Sequence, residues 1–212
     1  MTSDPRNSDK ALLRTQLVSA RAKRAAGLTA DDRAADAVQV ASAALGVPLI
    51  ASAVEADKTI ASYLPLSSEP DTTALHTALL QQGIRVLVPE CVTGTAGEPT
   101  LAWIELDAVN SIELQRDERG IPIPKGQRVG IGAQGLVDAN CQVILVPALA
   151  VTSDGQRLGK GAGYYDRLFA ELAKLGSQDT KLNSIAIVFA GELLDSVPTE
   201  PHDAPVTAVL AV

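Results

Sequence analysis

Apolar positions recur at helical spacing over residues 8–26, and Ser8 or Asp9 stands where an N-cap belongs. At 3.6 residues per turn Lys10, Arg14 and Arg21 fall within roughly 40° of arc on one face, leaving Leu12, Leu13, Leu17 and Val18 for apolar contacts around the rest. An alanine-rich second helix is expected from a Thr29 cap to residue 45, with Asp32 as the acid of a capping box. The period then changes. Residues 58–64 read as a strand, 71–82 as a helix capped by Asp71, and 84–88 as a strand closing on Pro89. Strand, helix, strand in that order implies a right-handed parallel crossover, and hence an α/β sheet.

Farther on, residues 91–100 read as a polar loop and 101–106 as a strand whose Trp103 belongs in the core. Residues 110–135 read as irregular, with 120–126 an extended, proline-stiffened segment. Strands are expected at 143–146, 184–189 and 206–212, the last after a proline-rich loop, 198–205, holding His202 and Asp203. That dipeptide is ordinary turn chemistry or a metal-ligand pair, and turns are the commoner use. No repeat or interdomain linker interrupts the pattern. The expectation is one α/β domain over residues 1–212, with 1–8 a flexible tail, built on a mostly parallel open sheet flanked by helices.

Composition narrows the function classes. Hydrophobic residues make up 46% of the 212, enough for a sizeable core, and aromatics only 3%, so that core is aliphatic. The formal charge of −7 argues against nucleic-acid and membrane-surface partners, each of which wants a basic face. Anionic ligands must then meet a local cluster of cations. Cys91 and Cys141 lack metal-type spacing and read as reduced thiols of a cytoplasmic protein; no run reaches membrane-spanning length, and the polar start is no signal peptide.

Such a cluster exists at residues 147–168. Gly155, Gly159, Gly161 and Gly163 lie among Arg157, Lys160, Arg167 and the run Tyr164-Tyr165-Asp166, between an apolar strand and a segment with helical spacing. Glycines there leave amide N–H groups uncovered at a helix N-terminus, a natural place for an anion. Neither a Walker A loop nor a dinucleotide fingerprint fits, because Lys160 is followed by Gly161 and the loop begins too far from the strand. Glycines alone would equally suit a surface loop; two tyrosines, an acid and three cations weight the reading toward a nucleotide or phosphate site. Earlier in the chain, the 63–70 loop lies at the carboxyl end of a strand, where open α/β sheets collect ligands. It carries Leu64 and Glu69, and a lone loop glutamate is most often simply solvated.

Asp154 through Asp166, Asp-Gly-Gln-Arg-Leu-Gly-Lys-Gly-Ala-Gly-Tyr-Tyr-Asp, resembles without a break the signature of the 5-formyltetrahydrofolate cyclo-ligases, also called 5,10-methenyltetrahydrofolate synthetases. The resemblance implies a three-layer fold, and cyclisation of 5-formyltetrahydrofolate to 5,10-methenyltetrahydrofolate with ATP and Mg²⁺. It carries the family's ATP contacts onto Lys10, Arg14 and the run Arg157, Leu158, Gly159, Lys160, Gly161, Ala162, Gly163, Tyr164 and Tyr165. The folate side falls to Leu64, Glu69, Lys160, Gly161, Ala162, Gly163 and Tyr164, and the magnesium partners to Asp166 and Asp203. Arg157, Lys160, Tyr164 and Tyr165 are the implied catalytic groups. The chain departs from the family at Ile123, where Gly-Ile-x-Glu-Pro would have an acid, so no polar role is expected there.

On this reading the partners are small molecules, with no nucleic acid and no membrane, and the protein is a cytoplasmic monomer. A non-folate ATP-binding paralogue, a sugar-phosphate isomerase of similar sheet and an RNA-associated relative are the alternatives, the last opposed by the acidic charge.

Overall fold

The computed structural model describes residues 5–94, 97–107, 115–118, 120–176, 182–200 and 203–212. Its elements are α1 (Pro5–Gly27), α2 (Ala30–Leu45), α3 (Pro48–Glu55), β1 (Thr59–Ala61), α4 (Thr73–Gln81), β2 (Val86–Thr93), β3 (Pro99–Glu105), β4 (Gln115–Arg116), β5 (Pro122–Ile123), β6 (Arg128–Ile131), α5 (Gly132–Asp138), β7 (Cys141–Pro147), β8 (Ala150–Val151), β9 (Arg157–Leu158), α6 (Tyr164–Leu175), β10 (Asn183–Val188) and β11 (Ala208–Ala211). A short 3-10 turn, Ala190–Glu192, follows β10.

Seven strands form the central sheet in the order β11-β10-β7-β1-β2-β3-β6. The five from β11 to β2 run parallel, and β3 and β6 extend the sheet antiparallel. Strands covered on both faces should be apolar throughout, and the Val143–Val146 stretch of β7 and all of β10 are buried. Alternation sorts the side chains of β7 between two cores. Val143 and Leu145 join Ile60, Val86 and Val88 against α2, α3 and α4 through Val40, Ile50, Leu75 and Leu79. Ile144 and Val146 face the other way, with Ala61 and Leu87, toward Leu136 of α5 and Leu168 of α6. Three layers result, as expected.

Several sequence readings are corrected. Helix α1 is already under way at Pro5, ahead of the expected Ser8 or Asp9 cap, because proline is compatible with a first helical turn; Met1–Asp4 lie outside the described residues. Leu12 and Val18 of α1 are 60% and 50% exposed, and only Leu13 and Leu17 pack, against Ala150, Leu158 and Val197. The α2 cap stands as read: Thr29 Oγ1 accepts from Asp32 N at 3.2 Å, and Asp32 Oδ2 accepts from Thr29 N at 2.9 Å. At α4 the cap position is Thr72, one residue later than read, while Asp71 Oδ1 accepts from the N–H of Thr73 at 2.9 Å.

The supposed loop at 91–100 is largely sheet. Cys91, Val92 and Thr93 pair with Leu101, Thr100 and Pro99, making β2 and β3 one antiparallel hairpin. Within the stretch read as irregular, β6 joins the sheet edge, α5 begins at Gly132, and Gln115–Arg116 pair with Pro122–Ile123. Trp103 is fully buried as expected, and its Nε1 donates to Gly132 O at 2.9 Å.

Candidate functional site

A cavity of about 370 Å³ opens at the carboxyl ends of the parallel strands, the place where open α/β sheets bind ligands. Its walls come from segments distant in sequence. The loop after β1 gives Tyr63, Leu64, Leu66 and Glu69; the β2–β3 hairpin gives Pro89, Cys91 and Leu101; α1 gives Lys10 and Arg14. The 157–166 stretch supplies one long side without interruption, and Glu200 and Asp203 close the rim. All the site residues expected from sequence, from Lys10 to Asp203, therefore face one cavity; His202 lies outside the described residues. Ile123 is exposed and off the wall, whereas Ile121 and Pro122 line it.

Between β7 and α6 the chain makes a small hairpin of β8 and β9 before the glycines. Gly161 and Gly163 have φ of +98° and +69°, conformations that side-chain-bearing residues avoid, and Gly163 caps α6. Arg167 fastens the far end of the loop. It donates to Ala162 O at 2.6 Å and Pro99 O at 2.8 Å, and its guanidinium lies 5.6 Å from the Tyr164 ring centre.

Helix α1 is fixed to this half of the molecule by the three cations of its common face. Lys10 Nζ, buried, donates to Glu200 Oε2 at 2.6 Å and Asp203 Oδ2 at 2.7 Å. Burial works against its charge, but hydrogen bonds to Asp203 and then Glu200 outweigh it and hold the pKa above the ordinary lysine value. Arg14 donates Nε to Gly159 O at 2.9 Å. Its guanidinium adjoins the open side of Gly161, where a Cβ would lie 3.6 Å from Cζ. Arg21 turns away from the cavity to Glu192 and the carbonyl of Ala148, so its place on the cationic stripe is structural.

The remaining cations of the cavity wall also meet acids, Arg157 on its own side and Lys160 across the space. Arg157, 7% exposed, pairs with Asp166, and its guanidinium lies 6.0 Å from the ring centres of Tyr165 and Phe169. Its Nε is buried with no hydrogen-bond partner among the described residues. Lys160 Nζ reaches Glu69 Oε1 at 2.7 Å, joining the glycine loop to the loop after β1. Glu69 Oε2 accepts from Leu66 N at 2.8 Å, which fixes the carboxylate. Burial, reinforced by the negative charge of Glu69, pushes the phenols of Tyr63 and Tyr165 far up, so both stay neutral. They can donate or accept hydrogen bonds, but neither can act as a phenolate base.

Sequence reasoning missed Glu200, Tyr63 and the hairpin residues Pro89, Cys91 and Leu101. A lone glutamate between prolines carries no signal of its own, and its partner Lys10 is 190 residues away. Both cysteines are free thiols; Cys141 is buried, which raises its pKa to about 12 and leaves it inert. Among the described residues no group of three or more His, Cys, Asp and Glu forms a metal cage, and no single helix is long and apolar enough to cross a membrane.

Residues 6–212 match the profile of the 5-formyltetrahydrofolate cyclo-ligase family. A 5-formyltetrahydrofolate cyclo-ligase of Mycolicibacterium smegmatis is 39% identical over 154 residues, covering 72% of this chain and 73% of the relative. That of Escherichia coli K12 is 28% identical over 152 residues, covering 72% and 76%. In three dimensions the chain is similar to Aquifex aeolicus 5,10-methenyltetrahydrofolate synthetase, with a TM-score of 0.67 at 24% identity, covering 95% of this chain and 89% of the other.

Proposed function

Because the chain belongs to the 5-formyltetrahydrofolate cyclo-ligase family and is a ligase, we propose that its cavity binds MgATP and 5-formyltetrahydrofolate together and closes the ring to 5,10-methenyltetrahydrofolate. The observation that carries this reading is the 2.7 Å contact between Lys160 of the glycine loop and Glu69 of the β1 loop. It joins a cationic loop suited to phosphate to an acid suited to the N–H donors of a pterin within one space.

The formamide oxygen is a poor leaving group as it stands. It attacks the γ-phosphorus, ADP departs, and the formyl carbon becomes bonded to a phosphorylated oxygen. The folate N10 lone pair then adds to that carbon, the N10 proton is lost, and the carbon–oxygen bond breaks to release phosphate. Such chemistry requires positioning and charge neutralisation more than a protein nucleophile. Lys10, Arg14, Arg157, Lys160 and the amides of residues 158–163 supply these toward the triphosphate. Tyr164 and Tyr165 offer hydroxyls toward the formyl group, and Leu64, Glu69 and the 160–164 backbone bound the folate. Asp166 and Asp203 would hold magnesium in the manner that ion favours, through one or two carboxylates plus substrate phosphates, and the ion would neutralise charge on the transferring group. The protein would act as a cytoplasmic monomer.

The test is direct. Purified protein mixed with 5-formyltetrahydrofolate and MgATP should develop the near-ultraviolet absorbance of the methenyl product and release phosphate in equal amount. Phosphate release without that absorbance would assign the ATP site to another substrate, and the absence of both signals would overturn the reading.

A further inference from the structure

We propose that Glu69 is a positioning residue for Lys160 as well as a folate contact, and that their ion pair makes the two substrates bind synergistically. This rests on the functional reading above and deepens it. The Lys160 side chain is 39% exposed and that of Glu69 only 6%. The pair is therefore asymmetric: the cation can swing out toward a phosphate, whereas the acid it leaves stays fixed in the cavity wall.

Consider ATP arriving first. A phosphate oxygen must take Lys160 from Glu69, leaving a buried carboxylate with the Leu66 amide as its remaining neutral donor. A buried charge stripped of its partner is costly. Neighbouring Tyr63 increases that cost, since it too is buried and already feels the Glu69 charge. The pterin ring offers what is then missing, N–H donors that can bond a carboxylate. Consider the folate arriving first. Its N–H groups satisfy Glu69 and weaken the hold on Lys160, which becomes available to a phosphate. Either ligand thus removes a cost that the other would meet alone, and the effect is reciprocal by thermodynamic necessity. The ion pair also keeps the loop cation turned inward when the cavity is empty.

The experiment measures binding without turnover. Titrate Mg²⁺ and a non-hydrolysable ATP analogue calorimetrically, with and without saturating 5-formyltetrahydrofolate, on wild type, Glu69→Gln and Lys160→Met. Wild type should bind the analogue about 5-fold or more tightly when the folate is present, within the usual range of such couplings. Glu69→Gln should bind the analogue alone more tightly than wild type does, because Lys160 starts free, and the folate should no longer improve it. Lys160→Met should show no coupling.

Equal analogue affinity with and without folate in wild type, or coupling that survives in Glu69→Gln, would overturn the proposal. Wild-type protein that produces the methenyl compound yet shows no coupling refutes the ion-pair role and keeps the functional reading. Protein that binds neither ligand and makes no product refutes both. Circular-dichroism melts of the two variants confirm that a lost coupling is measured on folded protein.

Discussion

Arg21 and Glu192, 171 residues apart, meet as a buried two-point pair, with Nε to Oε1 at 2.6 Å and Nη2 to Oε2 at 2.7 Å. The same guanidinium donates to Ala148 O at 2.6 Å, where β7 has just ended, and Glu192 Oε2 also accepts from Phe189 N at 3.0 Å. One ion pair thus ties α1 to the first residue beyond β7 and to the turn after β10. Removing either partner strands a charge out of water. Arg21→Met or Glu192→Gln should each cost about 3–5 kcal/mol in urea unfolding, and replacing both with well-packed apolar residues should recover much of it. Loss below about 1 kcal/mol for either single change would show that water reaches the pair.

Two glycines of the signature stretch should respond in opposite ways to one added methyl. Gly155 has φ of +88°, and a Cβ there would lie 2.3 Å from Val206 O, a backbone atom that cannot step aside. Gly155→Ala should fold poorly. Gly161 has φ of +98° but nothing within 3.6 Å of its Cβ position, so Gly161→Ala should lose only about 1–2 kcal/mol from backbone strain. Its methyl would occupy the space beside Arg14, and KM for ATP should rise about 10-fold or more. Thermal melts run beside steady-state kinetics check both halves, and unchanged kinetics in Gly161→Ala would remove that glycine from the phosphate cradle.

Metal dependence should be complete. Phosphoryl transfer without a divalent ion leaves the triphosphate charge uncompensated, so excess EDTA should abolish product formation and added Mg²⁺ restore it. Turnover that persists in EDTA would dismiss the roles given to Asp166 and Asp203.

Stability should depend on pH through His76, fully buried on α4 with Nε2 2.7 Å from Ser62 Oγ. Burial lowers its pKa from 6.5 to about 4. The unfolded chain therefore takes up the proton first, and this contribution is fully present above pH 6.5 and lost as pH falls toward 4. The loss across that window is roughly 3 kcal/mol. Urea unfolding of wild type and His76→Gln between pH 4 and 7.5 should show the steeper slope in wild type, and parallel curves would contradict it.

What could be read from sequence followed from how local each signal is. The 154–166 stretch declares itself because its glycines, cations and tyrosines act within a few residues of one another. The same locality let Thr29 and Asp32 mark the start of α2. Helix α3 escaped notice because eight residues beginning at Pro48 resemble a linker until Ile50 and Ala53 are seen buried against the sheet. The β2–β3 hairpin escaped because Cys91, Val92 and Thr93 are only half apolar, and what makes them a strand is pairing with residues 99–101. The contact between Glu69 and Lys160, the most informative in the site, spans two loops, and no period or motif encodes it.

The ammonium of Lys10 waits 190 and 193 residues for its two carboxylates. During synthesis α1 leaves the ribosome long before Glu200 and Asp203 do. Contacts of such long sequence separation carry a large loop-closure cost and form late in folding. A polypeptide released before residue 200 would contain the whole 154–166 signature and still lack the charges that seat Lys10. If the cavity binds ATP as proposed, nascent chains stalled at successive lengths should acquire nucleotide affinity in one step once Asp203 has emerged.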